Sequence, residues 1–253
     1  MRRIDFNCDL GEGCGNDAAI VPWISSASIA CGGHAGDDDS MRATLRLCRR
    51  HGVAAGAHPG YDDRAGFGRR ELTLSLEEVA ALVRAQLERL GAIATEEGIC
   101  LRHVKPHGAL YNVSARGRDV AMAIAGAVRR FDPGLVLYGL ADSALTRAGS
   151  AIGLRVAHEA FAERRYESDG RLTPRDVAGA MIEDIDDALA QVRMLLHEHA
   201  VTARTGERVS LRADTLCLHG DRDDAPAFAQ ALHETLLAEG VRIAAPGDVA
   251  ARP

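Results

Sequence analysis

The stretch CLRHVKPHG, residues 100–108, passes from a short, partly apolar run through basic and imidazole side chains to a glycine. Residues 100–105 have the length of a short buried strand, and Gly108 belongs to the turn that follows. The same succession of a short strand, a polar turn containing glycine and a helix recurs along the chain. This alternation predicts a parallel sheet covered by helices.

The recurring units can be placed along the whole sequence. Strand-like runs occupy 3–8, 27–32, 53–57, 100–105, 135–140, 155–161, 215–220 and 241–244. Helical periodicity fits 38–51, 76–97, 118–131, 142–150, 185–199 and 224–239, and the second of these helices begins with a capping box formed by Ser75 and Glu78. Residues 162–184 are predicted to form a long loop. Seven or eight such units favour a closed or nearly closed barrel over an open sheet, although periodicity alone does not decide between them, and 1–253 is treated as one domain.

Composition excludes several classes of protein. The net charge of −6 argues against a nucleic-acid-binding protein, which usually carries a basic face. No run of about 18 apolar residues is present, so no membrane span is predicted. The six cysteines form no CxxC pair, and the N-terminal segment lacks the apolar core of a signal peptide. These features predict a cytoplasmic protein with reduced thiols.

Polar side chains concentrate where the predicted strands end. In a parallel barrel these ends meet on one face, which is where such folds place their active sites. The candidate site residues are Asn7, Asp9, Glu12, His34, His58, Lys105, His107, Glu159, Arg164, Arg165, His219 and Asp221.

Lys105 is the only lysine in the chain, and arginine supplies every other basic side chain. An ammonium group is compact, fits a tight pocket and can lower its pKa when it is buried. A chance placement is the alternative explanation. The position of Lys105 at a strand end, between His103 and His107, favours a functional role.

The absence of several motifs narrows the chemistry. The sequence contains no GxxxxGK[ST] phosphate-binding loop, no GxSxG elbow and no HExxH helix. What remains is a site of carboxylates and histidines. Such a site performs general acid–base catalysis or holds a metal ion that activates water.

Six blocks of the sequence, in order and without a visible gap, resemble the LamB/YcsF family: DFNCDLGEGCGND, SASIACGGHAGDDDSM, GAHPGYDDRAGFGRREL, RHVKPHGALYN, HEAFAERRYESDGRLTPR and DTLCLHGD. The resemblance implies a seven-stranded β/α barrel like that of the glycoside hydrolase/deacetylase superfamily. It also implies ATP-dependent opening of 5-oxo-L-proline to L-glutamate, together with 5-oxoprolinase subunits B and C. ATP would be used by the complex, since this chain has no phosphate-binding loop.

The candidate residues can be assigned hypothetical roles on that basis. The expected catalytic residues are Asp9, Glu12, His58, Lys105, His107 and Glu159. The expected substrate-binding residues are Asn7, His34, Arg164, Arg165, His219 and Asp221. By ligand type, Asp9, His34 and His58 form a plausible set for a divalent metal.

Two other functions fit the same residues. One is a stand-alone metal-dependent deacetylase or amidohydrolase that needs neither ATP nor partners. The other is a protein that binds substrate for the complex without catalysing a step.

Overall fold

The computed structural model describes residues 2–246, and its central feature is a closed parallel barrel. The strands within that range are β1 (Arg3–Leu10), β2 (Ser26–Ala30), β3 (Ala54–His58), β4 (His103–Val104), β5 (Val136–Leu140), β6 (Arg155–Phe161), β7 (Ala200–Thr202), β8 (Arg208–Ser210), β9 (Thr215–His219) and β10 (Arg242–Ile243). Neighbouring strands follow the order β1-β2-β3-β4-β5-β6-β9, and β9 pairs with β1 to close the ring. The predicted seven-stranded β/α barrel is therefore confirmed.

Helices follow most of the barrel strands and cover the outside of the ring. They are α1 (Asp17–Ile20), α2 (Asp38–His51), α3 (Leu76–Glu96), α4 (Gly108–Arg116), α5 (Arg118–Phe131), α6 (Ala144–Ala151), α7 (Ile185–Glu198) and α8 (Ala225–Ala238). Single 3-10 turns span Val21–Trp23 and Arg64–Gly66. Helix α3 packs against α5, α5 packs against α6, and α6 rests on β5 and β6. Across residues 2–246, no helix has both the length and the apolar character that crossing a bilayer requires.

Local capping signals place the helix starts. Ser75 and Glu78 form the predicted capping box at the start of α3. Asp37 caps α2 because its carboxylate accepts a hydrogen bond from the Ser40 backbone N–H. The Ser40 hydroxyl oxygen in turn accepts a hydrogen bond from the Asp37 backbone N–H. Each bond satisfies a helix-end donor that would otherwise lack a partner. Helix α2 therefore begins directly after the loop that carries His34.

Several predicted elements differ from the observed ones. The strand predicted at 100–105 is ordered as a strand only over β4, and the run at 241–244 is the two-residue β10, which pairs with the start of β1. Helix α4 and the antiparallel pair β7–β8 were not predicted. Helix α4 is short and opens with glycine directly after the polar cluster, so it lacks a sequence start signal. Residues 162–184 form no helix or extended strand, as predicted.

The barrel interior is polar, and this positions the site. Along β1 the side chains of Asp5, Asn7 and Asp9 alternate with apolar ones, which places all three on one face. Asp5 accepts hydrogen bonds from Tyr138 and Thr215, which lie on other strands. One end of the lumen is thus filled by a hydroxyl–carboxylate network, and Asp9 lies at the opposite, carboxyl end.

Candidate active site

Lys105 lies at the centre of the carboxyl end of the barrel. Its Nζ is 2.6 Å from Asp9 Oδ1, 3.0 Å from Glu159 Oε1 and 2.9 Å from Asn7 Oδ1. It also donates to the Cys217 thiol over 3.2 Å. Three ammonium protons therefore face four acceptors of the protein itself. Lys105 fixes and neutralises the surrounding carboxylates, and it has no donor to spare for a ligand.

Electrostatics keep this group ionised. Burial alone would lower the pKa of Lys105, but the adjacent Asp9 and Glu159 outweigh it and raise the pKa well above its usual range. Burial likewise opposes ionisation of Asp9, yet the neighbouring His58 and Lys105 lower its pKa well below normal. The ammonium therefore stays charged at neutral pH. The lowered lysine pKa considered from the sequence is wrong for this position.

A second cluster adjoins the first and contains three histidines and one glutamate. His34 Nε2 lies 3.0 Å from Glu12 Oε1, and His107 Nδ1 lies 3.0 Å from His58 Nε2. The Glu12 oxygen is also 3.4 Å from His107 Nδ1 and 3.9 Å from His58 Nε2. The His34 and His107 rings stack with centroids 3.6 Å apart. The nitrogen and oxygen atoms of four side chains thus converge on one point.

Backbone carbonyls determine where two of these rings carry their protons. His58 Nδ1 lies 2.7 Å from the Lys105 carbonyl oxygen, and His107 Nε2 lies 2.8 Å from the Phe67 carbonyl oxygen. A carbonyl oxygen only accepts, so each of these ring nitrogens donates a proton. Burial lowers the pKa of His34, and burial together with the neighbouring His58 lowers the pKa of His107 further. His34 and His107 are therefore neutral imidazoles at neutral pH.

Two glycines allow this dense packing. A side chain at Gly60 would place its Cβ 2.7 Å from His34 Nδ1, and one at Gly68 would lie 2.7 Å from His34 Cβ. Gly68 also has a φ of +61°, which favours glycine. The stacked rings of His34 and His107 are therefore enclosed by backbone on this side.

A cavity of about 840 Å³ opens above both clusters. Asp9, His58, Lys105 and His107 contribute to its lining, and Arg164 lies on its wall. Arg164 is 5% exposed, donates from Nη2 to the Thr173 carbonyl, and has no hydrogen-bond partner at Nε among the described residues. Burial and the like charge of Arg175 lower the pKa of Arg164 to about 10. Because Nε of this buried guanidinium has no partner among the described residues and Arg164 lines the cavity, Arg164 provides a receptor for an anionic group.

The structure brings most of the predicted site residues together. Those at the cavity or directly beneath it are Asn7, Asp9, Glu12, His34, His58, Lys105, His107, Glu159, Arg164 and His219. Asp221 lies near the rim, where it pairs with Arg69 at 2.6 Å. Arg165 does not line the cavity, because its guanidinium points to Asp187.

Two residues of the site were not identified from the sequence. Cys217 contacts Lys105, and Glu163 is buried and bonds to His219 Nδ1. Cys217 precedes His219 by two residues on β9, so strand alternation places both on the same face. That spacing was the available signal for Cys217. Glu163 follows the end of β6, where no periodicity applies.

The donor atoms of the histidine cluster fit a divalent metal by type, since imidazole nitrogens and a carboxylate oxygen are common ligands. Asp9, Cys217 and His219 also bring ligand atoms within 4.8 Å of one another. However, the Lys105 ammonium already contacts Asp9 and Cys217. A dication placed there would be repelled by it, so the histidine cluster is the better candidate.

A closed β/α barrel with ionised carboxylates, neutral imidazoles and a buried ammonium at the carboxyl ends of its strands defines a barrel enzyme of the acid–base class. Comparison with known proteins makes the assignment more specific. Residues 4–251 match the LamB/YcsF family. The chain belongs to that family.

Its relatives match over nearly their whole length. The A subunit of 5-oxoprolinase from Geobacillus kaustophilus is 50% identical over 250 residues, covering 97% of this chain and 98% of the relative. The A subunit of 5-oxoprolinase from Bacillus subtilis is 48% identical, with 97% of each chain covered. The crystal structure of a lactam utilization protein from Thermus thermophilus superposes with a TM-score of 0.90 at 45% identity, covering 96% of this chain and 99% of that one.

Proposed function

We propose that this chain is the A subunit of a 5-oxoprolinase and that it opens the lactam ring of 5-oxo-L-proline to give L-glutamate. The observation that carries the proposal is the placement of Arg164 on the same cavity as Asp9, His58 and His107. This arrangement sets an anion receptor beside acid–base groups, as a small cyclic amide with a carboxylate requires. The names of the full-length relatives support the same substrate.

The substrate binds through its charge. 5-Oxoproline carries one carboxylate, and the Arg164 guanidinium offers it an N–H donor that no described residue uses. A charge-assisted bond of this kind contributes about 1.5–3 kcal/mol. Because the Lys105 ammonium is fully occupied by protein acceptors, the substrate carboxylate is assigned to Arg164 and not to Lys105.

Ring opening needs an activated carbonyl, because a five-membered lactam is a stable amide. Coupling to ATP meets this need: phosphorylation of the lactam oxygen makes the carbonyl carbon electrophilic and provides a leaving group. One water attacks that carbon, the C–N bond breaks as the ring nitrogen takes a proton, and an acyl phosphate is left. A second water hydrolyses the acyl phosphate to the carboxylate of glutamate and inorganic phosphate. The chain has no GxxxxGK[ST] loop, so ATP coupling is assigned to the complex with subunits B and C. A cytoplasmic location belongs to the same proposal, since ATP is supplied there.

The residues of this chain move and hold the protons. His107 is a neutral imidazole that contacts His58, and either ring can accept the proton of the attacking water and return it to the ring nitrogen. Asp9 lies 3.3 Å from His58 Nε2 and stabilises the imidazolium that forms. Lys105 holds Asp9 in place from below, and Glu159 in turn holds the Lys105 ammonium.

The proposal is tested by purifying the chain with its partner subunits and measuring glutamate release from 5-oxoproline with and without ATP. We expect release only with ATP and partners. The variant Arg164→Gln should raise KM for 5-oxoproline by roughly 10- to 100-fold, which corresponds to loss of one charge-assisted bond. Arg165→Gln is the matched control and should leave KM unchanged, because Arg165 pairs with Asp187 outside the cavity.

A stand-alone metal-dependent amidohydrolase is the second candidate, and the histidine cluster is the observation that favours it. Glutamate release by the isolated chain without ATP would establish that function and contradict the first. Turnover of the complex that survives substitution of His58, His107 and Asp9 would instead indicate a protein that only binds substrate.

A further inference from the structure

His219 and Glu163 form a histidine–carboxylate pair that has no role in the first ring-opening step. Glu163 is fully buried, and its Oε1 bonds to His219 Nδ1. The same oxygen accepts the His219 backbone N–H over 3.3 Å. A carboxylate oxygen only accepts, so Nδ1 of His219 carries a proton, and in the neutral ring the lone pair is at Nε2.

The ring of His219 is fixed with Nε2 at the cavity. It lies nearly parallel to the Phe161 ring, with centroids 5.4 Å apart, and both side chains belong to the cavity lining. Among residues 2–246, no hydrogen bond engages Nε2, and the side chain of His219 is 14% exposed. A histidine held at Nδ1 by a carboxylate, with Nε2 open to a ligand, is the arrangement of the general base in Ser–His–Asp hydrolases.

His219 is separate from the histidines that serve the first water. Asp9 and His219 are in register on β1 and β9, and a carboxylate oxygen of Asp9 lies within 4.8 Å of a His219 ring nitrogen. Asp9 also lies 3.3 Å from His58 Nε2. Because β9 and β3 lie on opposite sides of β1 in the ring of strands, His219 and His58 reach the cavity from different directions. The cavity therefore carries two distinct acid–base groups.

The chemistry of the acyl phosphate gives the second group a role. The acyl phosphate carries the newly freed amine in the same molecule. That amine can attack the acyl carbon, close the five-membered ring and expel phosphate, which regenerates 5-oxoproline and consumes ATP without forming glutamate. Groups held together in one molecule react with effective molarities of about 10⁵–10⁸ M. The second water must therefore be activated if hydrolysis is to outrun ring closure.

We propose that His219, positioned by Glu163, is the base that activates this second water. The inference rests on the proposed function and assigns a residue to its last step. His219 Nε2 takes one proton from the water as the water oxygen bonds to the acyl carbon. The bond from that carbon to the phosphate oxygen then breaks, and His219 returns the proton to the departing phosphate.

The remaining groups complete this step. The new carboxyl group loses its own proton to solvent, which leaves the side-chain carboxylate of glutamate. Glu163 stabilises the imidazolium that exists between the two proton transfers, because its carboxylate bonds to Nδ1. Glu163 is thus a positioning residue, whereas His219 contacts the reacting water.

The test counts the ADP formed and the glutamate released by the complex of this chain with its partner subunits. We expect equal amounts from the wild type. In His219→Gln, glutamate release should fall by roughly 100-fold or more, as is typical when a general base is lost. ADP formation should fall much less, because phosphorylation and the first ring opening continue and the ring then closes again. The ratio of ADP to glutamate should therefore rise by roughly tenfold or more, and KM for 5-oxoproline should not increase.

Two further variants complete the experiment. Glu163→Gln is nearly isosteric and removes the charge that orients the His219 ring, so it should also raise the ratio, and it keeps the test valid if His219→Gln does not fold. His158→Gln is the matched control. His158 lies on a barrel strand beside the carboxylate of Asp142, at 3.5 Å, but it does not belong to the cavity lining. Its ratio should equal that of the wild type.

The outcomes that contradict the inference differ from those that contradict the proposed function. If the wild-type complex releases glutamate and the ratio is unchanged in both His219→Gln and Glu163→Gln, the inference is wrong and the proposed function stands. A higher KM for 5-oxoproline with an unchanged ratio would give His219 the substrate-binding role expected from the sequence, and would also overturn the inference. A wild-type complex that releases no glutamate would refute the proposed function, and the inference with it.

Discussion

Lys105 Nζ lies 2.6 Å from Asp9 Oδ1, and the two residues are 1% and 5% exposed. This ion pair joins β1 to the segment after β4 across the carboxyl end of the barrel. It also explains why the chain has lysine here. A compact ammonium fits among four acceptors, whereas a planar guanidinium with five donors would need more room and more partners.

Lys105→Met should strongly destabilise the protein. Methionine removes the cation and leaves the carboxylates of Asp9 and Glu159 buried without compensation, which costs about 3–5 kcal/mol of unfolding free energy. Urea denaturation of both proteins at pH 7 measures the difference. Arg46→Met is the control and should cost far less, because Arg46 is half exposed and Arg42 also contacts its partner Glu97. A loss below about 1 kcal/mol for Lys105→Met would contradict the role of the pair.

His103 should make stability depend on pH in the acidic range. Burial, with the charges of Lys105 and His58, lowers the pKa of His103 to about 3, whereas the unfolded chain has a histidine pKa of about 6.5. Between these values the unfolded state binds more protons, so stability falls as pH falls, by about 1.4 kcal/mol per pH unit from this group.

The variant His103→Gln isolates that contribution, since His34 and His107 act in the same direction in both proteins. Glutamine can keep the hydrogen bond to Ser28. Urea denaturation from about pH 6.5 to pH 4.5 should show a shallower loss of stability in the variant than in the wild type. Equal slopes of stability against pH in the two proteins would mean that His103 binds its proton at the same pH in the folded and unfolded states.

Thiol labelling should separate the cysteines into two groups. Cys14 and Cys100 are exposed, and the buried thiols are those of Cys8, Cys31, Cys48 and Cys217. Burial raises the pKa of Cys31 and Cys48 to about 12, which removes the reactive thiolate at neutral pH. Iodoacetamide followed by peptide mass spectrometry should modify only the exposed pair in native protein. Cys100 should react first, because partial burial and Glu12 raise the pKa of Cys14. Rapid native labelling of Cys217 would contradict its position beside Lys105.

Much of the site follows from strand order alone. Once a parallel barrel is predicted, the residues at its strand ends must share a face, and His34, His58, Lys105 and His107 do. The alternation of Asp5, Asn7 and Asp9 along β1 likewise predicts a polar lumen. These inferences depend only on periodicity and chain direction, which are written into the sequence.

Other features depend on geometry that periodicity does not encode. Arg164 and Arg165 are adjacent, yet one lines the cavity and the other pairs with Asp187, because they lie in an irregular segment without a fixed facing rule. The convergence of Glu12 with His107 arises from loop paths after β1 and β4. Which side chains meet there depends on packing that glycine permits, and this packing cannot be read from ligand type, on which the predicted set of Asp9, His34 and His58 was based.

Gly56→Ala and Gly126→Ala, the same chemical change, should have opposite effects. Gly56 pairs in register with His103, and a Cβ at Gly56 would lie 2.4 Å from three atoms of the His103 ring. That ring is confined on its other side by stacking on Tyr138, with centroids 4.3 Å apart, so it has no room to retreat. Overpacking of this kind costs about 1–3 kcal/mol.

Gly126 lies inside α5, where an added Cβ would meet only the flexible end of Arg130 at 3.4 Å. Alanine there should stabilise the helix by about 0.5–1 kcal/mol. Denaturation midpoints measure both effects, and the near-ultraviolet signal of Tyr138 should change only in Gly56→Ala. If both variants are equally stable, the His103 ring must be able to move away from Gly56. The polar lumen beneath Lys105 would then be less tightly packed than the distances indicate.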